Sequence, residues 1–161
     1  MDLELLNIFT QSAVSVIETM AFTKVAVGKP VLKVEKVTNG DVTGIIGLAN
    51  SEFKGTLVIS FEAEAIIAVV NNMLGSNYTE MSSDVIDAVG EITNMICGAS
   101  KRSLADSKQI ILDMASPTTI IGRDLMINFP GSLPVVEIPF ATEKGKFIID
   151  ITLGKEHQSL I

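Results

Sequence analysis

Three polar residues recur at spacings that place them on one side of a helix. Asp87, Glu91 and Asn94 follow one another at intervals of four and three residues, and Gly98 continues the line. Positions spaced in this way stack along one face of an α-helix. A carboxylate can pair with a lysine on another molecule, and a carboxamide can both donate and accept hydrogen bonds. An amide can therefore hold a water molecule in line for attack on an electrophile, which requires placement rather than a shifted pKa.

The helix that carries these residues is predicted over Ser82 to Ala105. Its apolar side forms a second line, opposite the polar one: Val85, Val89, Ile92, Ile96, Ala99 and Ser103. Gly90 lies close beside the polar line, and a glycine inside a helix costs about 0.5 to 1 kcal/mol relative to alanine. Close approach of another backbone would explain Gly90 and Gly98, so we expect both to belong to a docking surface.

The remaining segments predict further helices and strands. Helices are expected over residues 3–22 and Ala63 to Leu74, and strands over Val31 to Thr38, Val42 to Leu48, Gly55 to Phe61, Ile110 to Ala115, Thr118 to Ile121, Val135 to Ala141 and Lys146 to Leu153. Asn39 and Gly40 are typical of a hairpin turn joining the first two strands. We expect a mixed α/β (α+β) fold in which two long amphipathic helices pack on a largely antiparallel sheet.

The order of these elements suggests one domain, residues 1–161, made of two related halves, 1–75 and 82–155. Each half would then be led by a long amphipathic helix. Aligning the apolar stripes of the two helices places Gln11, Ser15 and Glu18 where the second half has its acidic and amide residues. Common ancestry of the halves is a hypothesis, because the order of helices and strands is easily matched by chance.

The composition limits the possible partners. A net charge of −7 argues against nucleic acid, because phosphate backbones are bound by clusters of lysine and arginine. Charged residues make up 19% of the chain and mean hydropathy is +0.44, which favours burial of some apolar surface against a second chain. No apolar run is long enough for a membrane span, and the N-terminus has no secretion-signal pattern, so we expect a cytoplasmic protein.

Self-contained catalytic machinery is not evident in the sequence. Phosphate-binding loops, nucleophile elbows and zinc-protease motifs are missing. Cys97 is the only cysteine and His157 the only histidine, so a zinc site is not expected and Cys97 is interpreted as core filler. The polar helix face is the best remaining candidate site, although an acidic face on an amphipathic helix is more often simply solvated.

The segment Asp87 to Gly98 resembles the signature of the CheC/CheX/FliY family of chemotaxis phosphatases, an acidic or serine residue followed by Glu and then Asn. A single copy, in the second half, is more similar to CheX than to CheC, whose members carry the motif on both long helices. Gly55 to Gly75 resembles the family's strand followed by a helix ending in Met-Leu-Gly. Pro117 to Ile127 is likewise similar to CheX.

This resemblance implies a phosphatase that acts on the aspartyl phosphate of the response regulator CheY. Glu91 would pair with the regulator's phosphate-site lysine, and Asn94 would orient the attacking water. Asp87, Gly90 and Gly98 would belong to the partner-binding face. The resemblance also implies a homodimer that binds no cofactor of its own, with Mg²⁺ supplied by the regulator.

Two other classes of function remain open. Flagellar switch proteins related to this family use a similar fold as a scaffold and lack the Glu and Asn pair, so a non-catalytic module that binds a response regulator is the main alternative. The intact Glu91 and Asn94 pair distinguishes the two. A small-molecule sensor is the third class, but no convergent set of polar residues supports it.

Overall fold

The computed structural model describes residues 1–155 and arranges them as three helices and eight strands. The helices are α1 (Leu3–Ala21), α2 (Ala63–Leu74) and α3 (Ser83–Lys108). The strands are β1 (Ala26–Val27), β2 (Val31–Leu32), β3 (Val42–Ala49), β4 (Phe53–Phe61), β5 (Asp113–Met114), β6 (Thr118–Ile121), β7 (Val136–Thr142) and β8 (Gly145–Lys155).

The strands form one antiparallel sheet in the order β1, β7, β8, β4, β3, β5. In addition, β2 pairs with β7 and β6 pairs with β3. The longest ladder joins β4 to β8, from Phe53 opposite Lys155 to Phe61 opposite Phe147. The predicted mixed fold with a largely antiparallel sheet is therefore confirmed, whereas the equivalence of the halves 1–75 and 82–155 stays a prediction.

The helices cover one face of this sheet. Along β8, Phe147, Ile149 and Ile151 alternate onto that face and join the main core, because successive side chains of a strand point to opposite faces. Helix α3 packs on β3 and against α1. A smaller cluster of Val58, Ile127, Phe129 and Val135 lies on the opposite face, under the connection between β6 and β7. Among residues 1–155, no helix is both long and apolar enough to cross a membrane.

The predicted hairpin around Asn39 and Gly40 is wrong. Of the predicted first strand, only Val31 and Leu32 form a strand, and they pair with β7 rather than with β3. The physical reason is that both edges of β3 are occupied, one by β4 and the other by β5 and β6. Gly40 serves another purpose, since a Cβ atom there would overlap the backbone of Phe61.

The strand predicted over Ile110 to Ala115 is shorter than expected. Only Asp113 and Met114 pair with β3, and Ile111 is exposed. Helix α3 runs to Lys108, beyond the predicted end at Ala105, and Gln109 ends it in the left-handed conformation. Residues 109–112 therefore connect the end of α3 to the sheet instead of forming part of a strand. Asn50 Nδ2 donates a hydrogen bond to Ile111 O in this connection, at 2.8 Å.

The apolar stripe of α3 also departs from the prediction in its second half. Its first four members are buried as expected, but Ala99 is half-buried and Ser103 is exposed. The buried positions there are Cys97, Ser100 and Leu104. Ala99 and Ser103 instead line a surface groove beside α1, so the buried face of α3 rotates towards the sheet in this region.

Helix α3 lies close to the sheet where Thr93 faces Gly44 of β3. A Cβ atom on Gly44 would overlap Thr93 Oγ1, so a glycine is required for the helix to lie this near. The side chain of Thr93 is buried and its hydroxyl donates to Val89 O at 2.7 Å. Because Asn94 follows Thr93 directly, this contact sets the position of the polar face relative to the sheet.

A buried ionic cluster lies on the opposite face of the sheet. Lys33 Nζ is 2.8 Å from Glu137 Oε2 and 3.1 Å from Asp150 Oδ2. Burial raises the pKa of Asp150 to about 7, and the nearby Lys33 ammonium offsets only part of this effect. The folded protein therefore holds a proton on this carboxyl group more tightly than the unfolded chain does.

We predict that replacing Gly44 by alanine lowers the free energy of unfolding by about 1 to 3 kcal/mol, since the new methyl group must push α3 away from β3. Gly47→Ala is the matched control, because a Cβ atom there meets no atom within 4 Å. Urea unfolding of both variants measures the effect. Equal stability of the two variants would contradict this account of the contact.

We predict that Asp150→Asn gains stability relative to the natural protein as the pH rises from 5 to 8. The stability contributed by the Asp150 proton is present below the unfolded pKa of about 3.8 and is lost as the pH rises towards about 7. The difference in unfolding free energy should shift by about 1 to 3 kcal/mol in favour of the variant. A difference that does not depend on pH would contradict a raised pKa at Asp150.

Candidate active site

The polar line of α3 faces away from the core because the opposite side of the helix is anchored. Ser82 caps the helix, its hydroxyl accepting from Val85 N at 3.4 Å. Val85, Val89 and Ile92 are fully buried beneath the helix. At about 100° per residue, this anchoring directs the residues on the far side of the helix outward.

The structure brings three of the five predicted site residues into one groove. This α1–α3 groove has a volume of about 490 Å³ and is lined by Ser15, Val16, Thr19 and Met20 of α1, by Glu91, Asn94, Met95, Gly98, Ala99 and Arg102 of α3, and by Met114. Asp87 is exposed on the same face but does not line the groove. Gly90 lies on the other flank of α3, towards Pro117 and Thr119.

Asn94 has an unusual hydrogen-bonding state. Its side-chain oxygen is buried and has no hydrogen-bond partner among residues 1–155. A buried acceptor left without a partner costs about 1 to 3 kcal/mol, so such groups are normally satisfied by protein, water or a ligand. Asn94 is half-buried and lines the α1–α3 groove together with the exposed residue Glu91.

The two helix glycines do not contact another backbone within the described chain. A Cβ atom at Gly90 would meet Thr119 Oγ1 at 3.5 Å and Pro117 Cγ at 3.8 Å, both at ordinary contact distance. A Cβ atom at Gly98 would meet only Arg102 Nη1, at 3.7 Å. The close backbone approach expected at these glycines is therefore not found, and the two helix glycines leave their surfaces open.

The first helix presents a different set of side chains. Gln11 and Ser15 line a second groove of about 400 Å³, which also includes Ala99 and Ser103 of α3. Glu18 Oε1 accepts a hydrogen bond from Val25 N at 3.4 Å, which links α1 to the segment that follows it. These three positions of α1 therefore lack the arrangement of acid and amide that α3 presents.

Several residues at the site were not identified from the sequence. Gly44 carries no local pattern that reveals its contact with α3, because the contact joins distant parts of the chain. Arg102 lies four residues after Gly98 and extends the polar line, so the spacing contained that signal. The α1 wall of the groove could not be foreseen without the packing of the two helices.

The described residues contain no cluster of three or more histidine, cysteine or acidic side chains that could hold a metal ion. Cys97 is buried, which confirms its interpretation as core filler, and burial raises the pKa of its thiol to about 11. His157 lies outside the described residues. The expectation that this chain binds no metal of its own stays a prediction.

The antiparallel sheet, the helices on one face and the polar face of α3 define a protein of the CheC/CheX/FliY class. The chain belongs to the CheX family, since the family model described as chemotaxis phosphatase CheX matches residues 42–141. The match includes the whole of α3 and therefore the Glu91 and Asn94 pair.

Named relatives and solved structures agree with this assignment. The chain is 26% identical to the CheY-P phosphatase CheX of Thermotoga maritima over 89% of its own length and 92% of that protein. A crystal structure of a CheC-like superfamily protein from Shewanella sp. PV-4 superposes with a TM-score of 0.88, at 35% identity, covering 95% of this chain and 99% of the other. The structure of the CheX–CheY–BeF₃–Mg²⁺ complex from Borrelia burgdorferi superposes with a TM-score of 0.76 at 25% identity. The match covers 97% of this chain and 100% of the other.

Proposed function

We propose that this protein accelerates hydrolysis of the aspartyl phosphate on a CheY-type response regulator. The observation that carries the proposal is that Asn94 and Glu91 line one groove, and that the side-chain oxygen of Asn94 has no hydrogen-bond partner among residues 1–155. The Thermotoga relative is a CheY-P phosphatase and the Borrelia relative is bound to CheY, which supports the same reaction.

Asn94 orients the attacking water in this mechanism. Its carbonyl oxygen accepts a hydrogen bond from the water, and its amide group can donate to a phosphoryl oxygen. The water oxygen attacks phosphorus while the bond from phosphorus to the aspartyl oxygen breaks, releasing inorganic phosphate and restoring the aspartate carboxylate. An acyl phosphate is already reactive, so holding the water in line supplies most of what an accelerator must add.

Glu91 binds the partner in this mechanism. Its carboxylate is exposed three residues before Asn94, and it pairs with the lysine of the regulator's phosphate site, as the family resemblance implies. Asp87, one turn earlier, adds negative charge to the same face. Gly90 and Gly98 leave the backbone of α3 open, so the regulator can approach the helix closely.

The regulator supplies the metal ion. A Mg²⁺ ion bound there neutralises charge on the phosphoryl group. The Borrelia complex contains Mg²⁺, and the described residues of this chain hold no group of acidic side chains able to bind one. A metal ion supplied by the regulator agrees with a site that consists of one amide and one carboxylate. As the family resemblance implies, the protein would act together with its regulator in the cytoplasm.

We further propose that the protein is a homodimer, as the family resemblance implies. Apolar side chains are exposed at both sides of the sheet, at Leu32 and Val34 near β7 and at Ile121 at the end of β6. Exposed strand edges of this kind are common sites of chain pairing. Sedimentation equilibrium should give twice the chain mass of 17.2 kDa, and a mass of one chain at every micromolar concentration would contradict the dimer.

We predict that Asn94→Ala lowers the rate of phosphate release from the phosphorylated regulator by about 10² to 10³, the usual cost of removing one orienting group. The variant should fold normally, because the lost oxygen has no partner in the protein. Gln11→Ala, a carboxamide removed from α1, is the control and should keep the full rate. Equal rates with natural protein, with Asn94→Ala and without protein would exclude a phosphatase and favour a non-catalytic binding module.

We predict that Glu91→Lys weakens binding to a regulator loaded with beryllofluoride and Mg²⁺ by at least about tenfold, since an attraction becomes a repulsion. Asp106→Lys makes the same change of charge on the same helix, about 22 Å away, and should have little effect. Isothermal titration calorimetry measures both affinities. If the two variants bind equally well, Glu91 does not lie in the interface.

A further inference from the structure

Arg102 occupies a position in the candidate site to which no role has been assigned. The guanidinium atom Nη1 lies 3.7 Å from the point where a Cβ atom of Gly98 would stand, and apart from the adjacent residues and backbone of α3 itself no other atom of the described chain lies within 4 Å of that point. The side chain of Arg102 therefore folds back over Gly98. This direction is expected, because helical side chains lean towards the amino terminus of their helix.

The guanidinium shares the α1–α3 groove with the proposed active-site pair. Arg102, Gly98, Asn94 and Glu91 all line it. Gly98 is one helical turn beyond Asn94, a rise of about 6 Å. By folding back over Gly98, Arg102 brings a positive charge to within about one turn of the amide that would meet the phosphorylated partner.

This cation has no partner of its own in the described chain. Within residues 1–155, no carboxylate pairs with Arg102 and no side-chain hydrogen bond engages it. The other arginine in the sequence, Arg123, pairs with Asp41. Lys33, Lys108 and Lys155 also pair with carboxylates. Arg102 is exposed, and it lines the α1–α3 groove next to the proposed active-site pair, so its guanidinium is available to an anion of a docked partner.

We propose that Arg102 is a partner-binding residue whose guanidinium binds an oxyanion of the docked regulator in the space that Gly98 leaves open. This proposal rests on the proposed function, because it takes the α1–α3 groove as the docking surface. A guanidinium presents paired donors that match the two oxygens of a carboxylate or phosphoryl group. The oxyanion is either a carboxylate at the regulator's surface or the phosphoryl group itself.

Gly98 has a defined purpose under this proposal. A methyl group at this position would touch the guanidinium at ordinary contact distance, whereas a longer side chain would occupy the space where the guanidinium lies. Replacing glycine inside a helix by a better helix former also favours the helix. Gly98→Gln therefore blocks the guanidinium without unfolding the helix, and it provides a second variant that is independent of Arg102.

The experiment measures affinity for the regulator in two states, free and loaded with beryllofluoride and Mg²⁺. Arg102→Gln is compared with Lys101→Gln, which removes the same charge from the adjacent position. We expect Arg102→Gln and Gly98→Gln to weaken binding by about tenfold, as for a lost charge-assisted hydrogen bond, and Lys101→Gln to have little effect. Weakening in both states identifies a surface carboxylate, and weakening in the loaded state alone identifies the phosphoryl group.

The proposal is overturned if Arg102→Gln binds both states of the regulator as tightly as Lys101→Gln does. The proposed function stands in that case, provided that natural protein still binds and accelerates phosphate release. If natural protein neither binds the regulator nor accelerates release, the proposed function and the role of Arg102 fail together. Arg102→Lys adds a further check, because it keeps the charge but loses the paired donors and should recover only part of the affinity.

Discussion

The contact between Thr93 and Gly44 is the constraint on which the site depends. It joins α3 to the strand β3 at the residue next to Asn94, and it leaves no room for even a methyl group between helix and sheet. Cores are packed closely enough that a change of one methyl group is felt. The position of the amide is therefore fixed by the interior of the protein, and the exposed face can remain polar without losing its geometry.

The face that results is incomplete by itself. Asn94 has a buried oxygen without a partner among residues 1–155, Glu91 is an exposed acidic residue, and the described residues offer no cluster of metal-binding side chains. Such a site can position a water and bind a cation on another molecule, but it provides no electrophile. It therefore fits a reaction in which the second protein carries the reactive phosphoryl group, and in which the unpaired Arg102 meets an anion of that protein.

The sequence predicted the candidate site and only part of the fold that supports it. Local spacing was sufficient to align Glu91 with Asn94 and to predict α3, since both depend on the period of one helix. Residues 31–38 were misread because the pairing of a strand depends on which sheet edges are free, and both edges of β3 are taken by distant segments. The role of Gly44 is likewise a property of two elements in contact, so no local pattern reveals it.

In the proposed mechanism, Asn94 acts on the reaction rather than on docking. Its most direct test is the rate constant for loss of phosphate from the regulator, measured at increasing concentrations of natural protein and of Asn94→Ala until each curve reaches a plateau. We expect both curves to reach half their plateau at similar concentrations and the plateau of the variant to be about 10² to 10³ lower, if the proposed role of Asn94 is correct. Equal plateaus reached at different concentrations would contradict it, because Asn94 would then contribute only to binding.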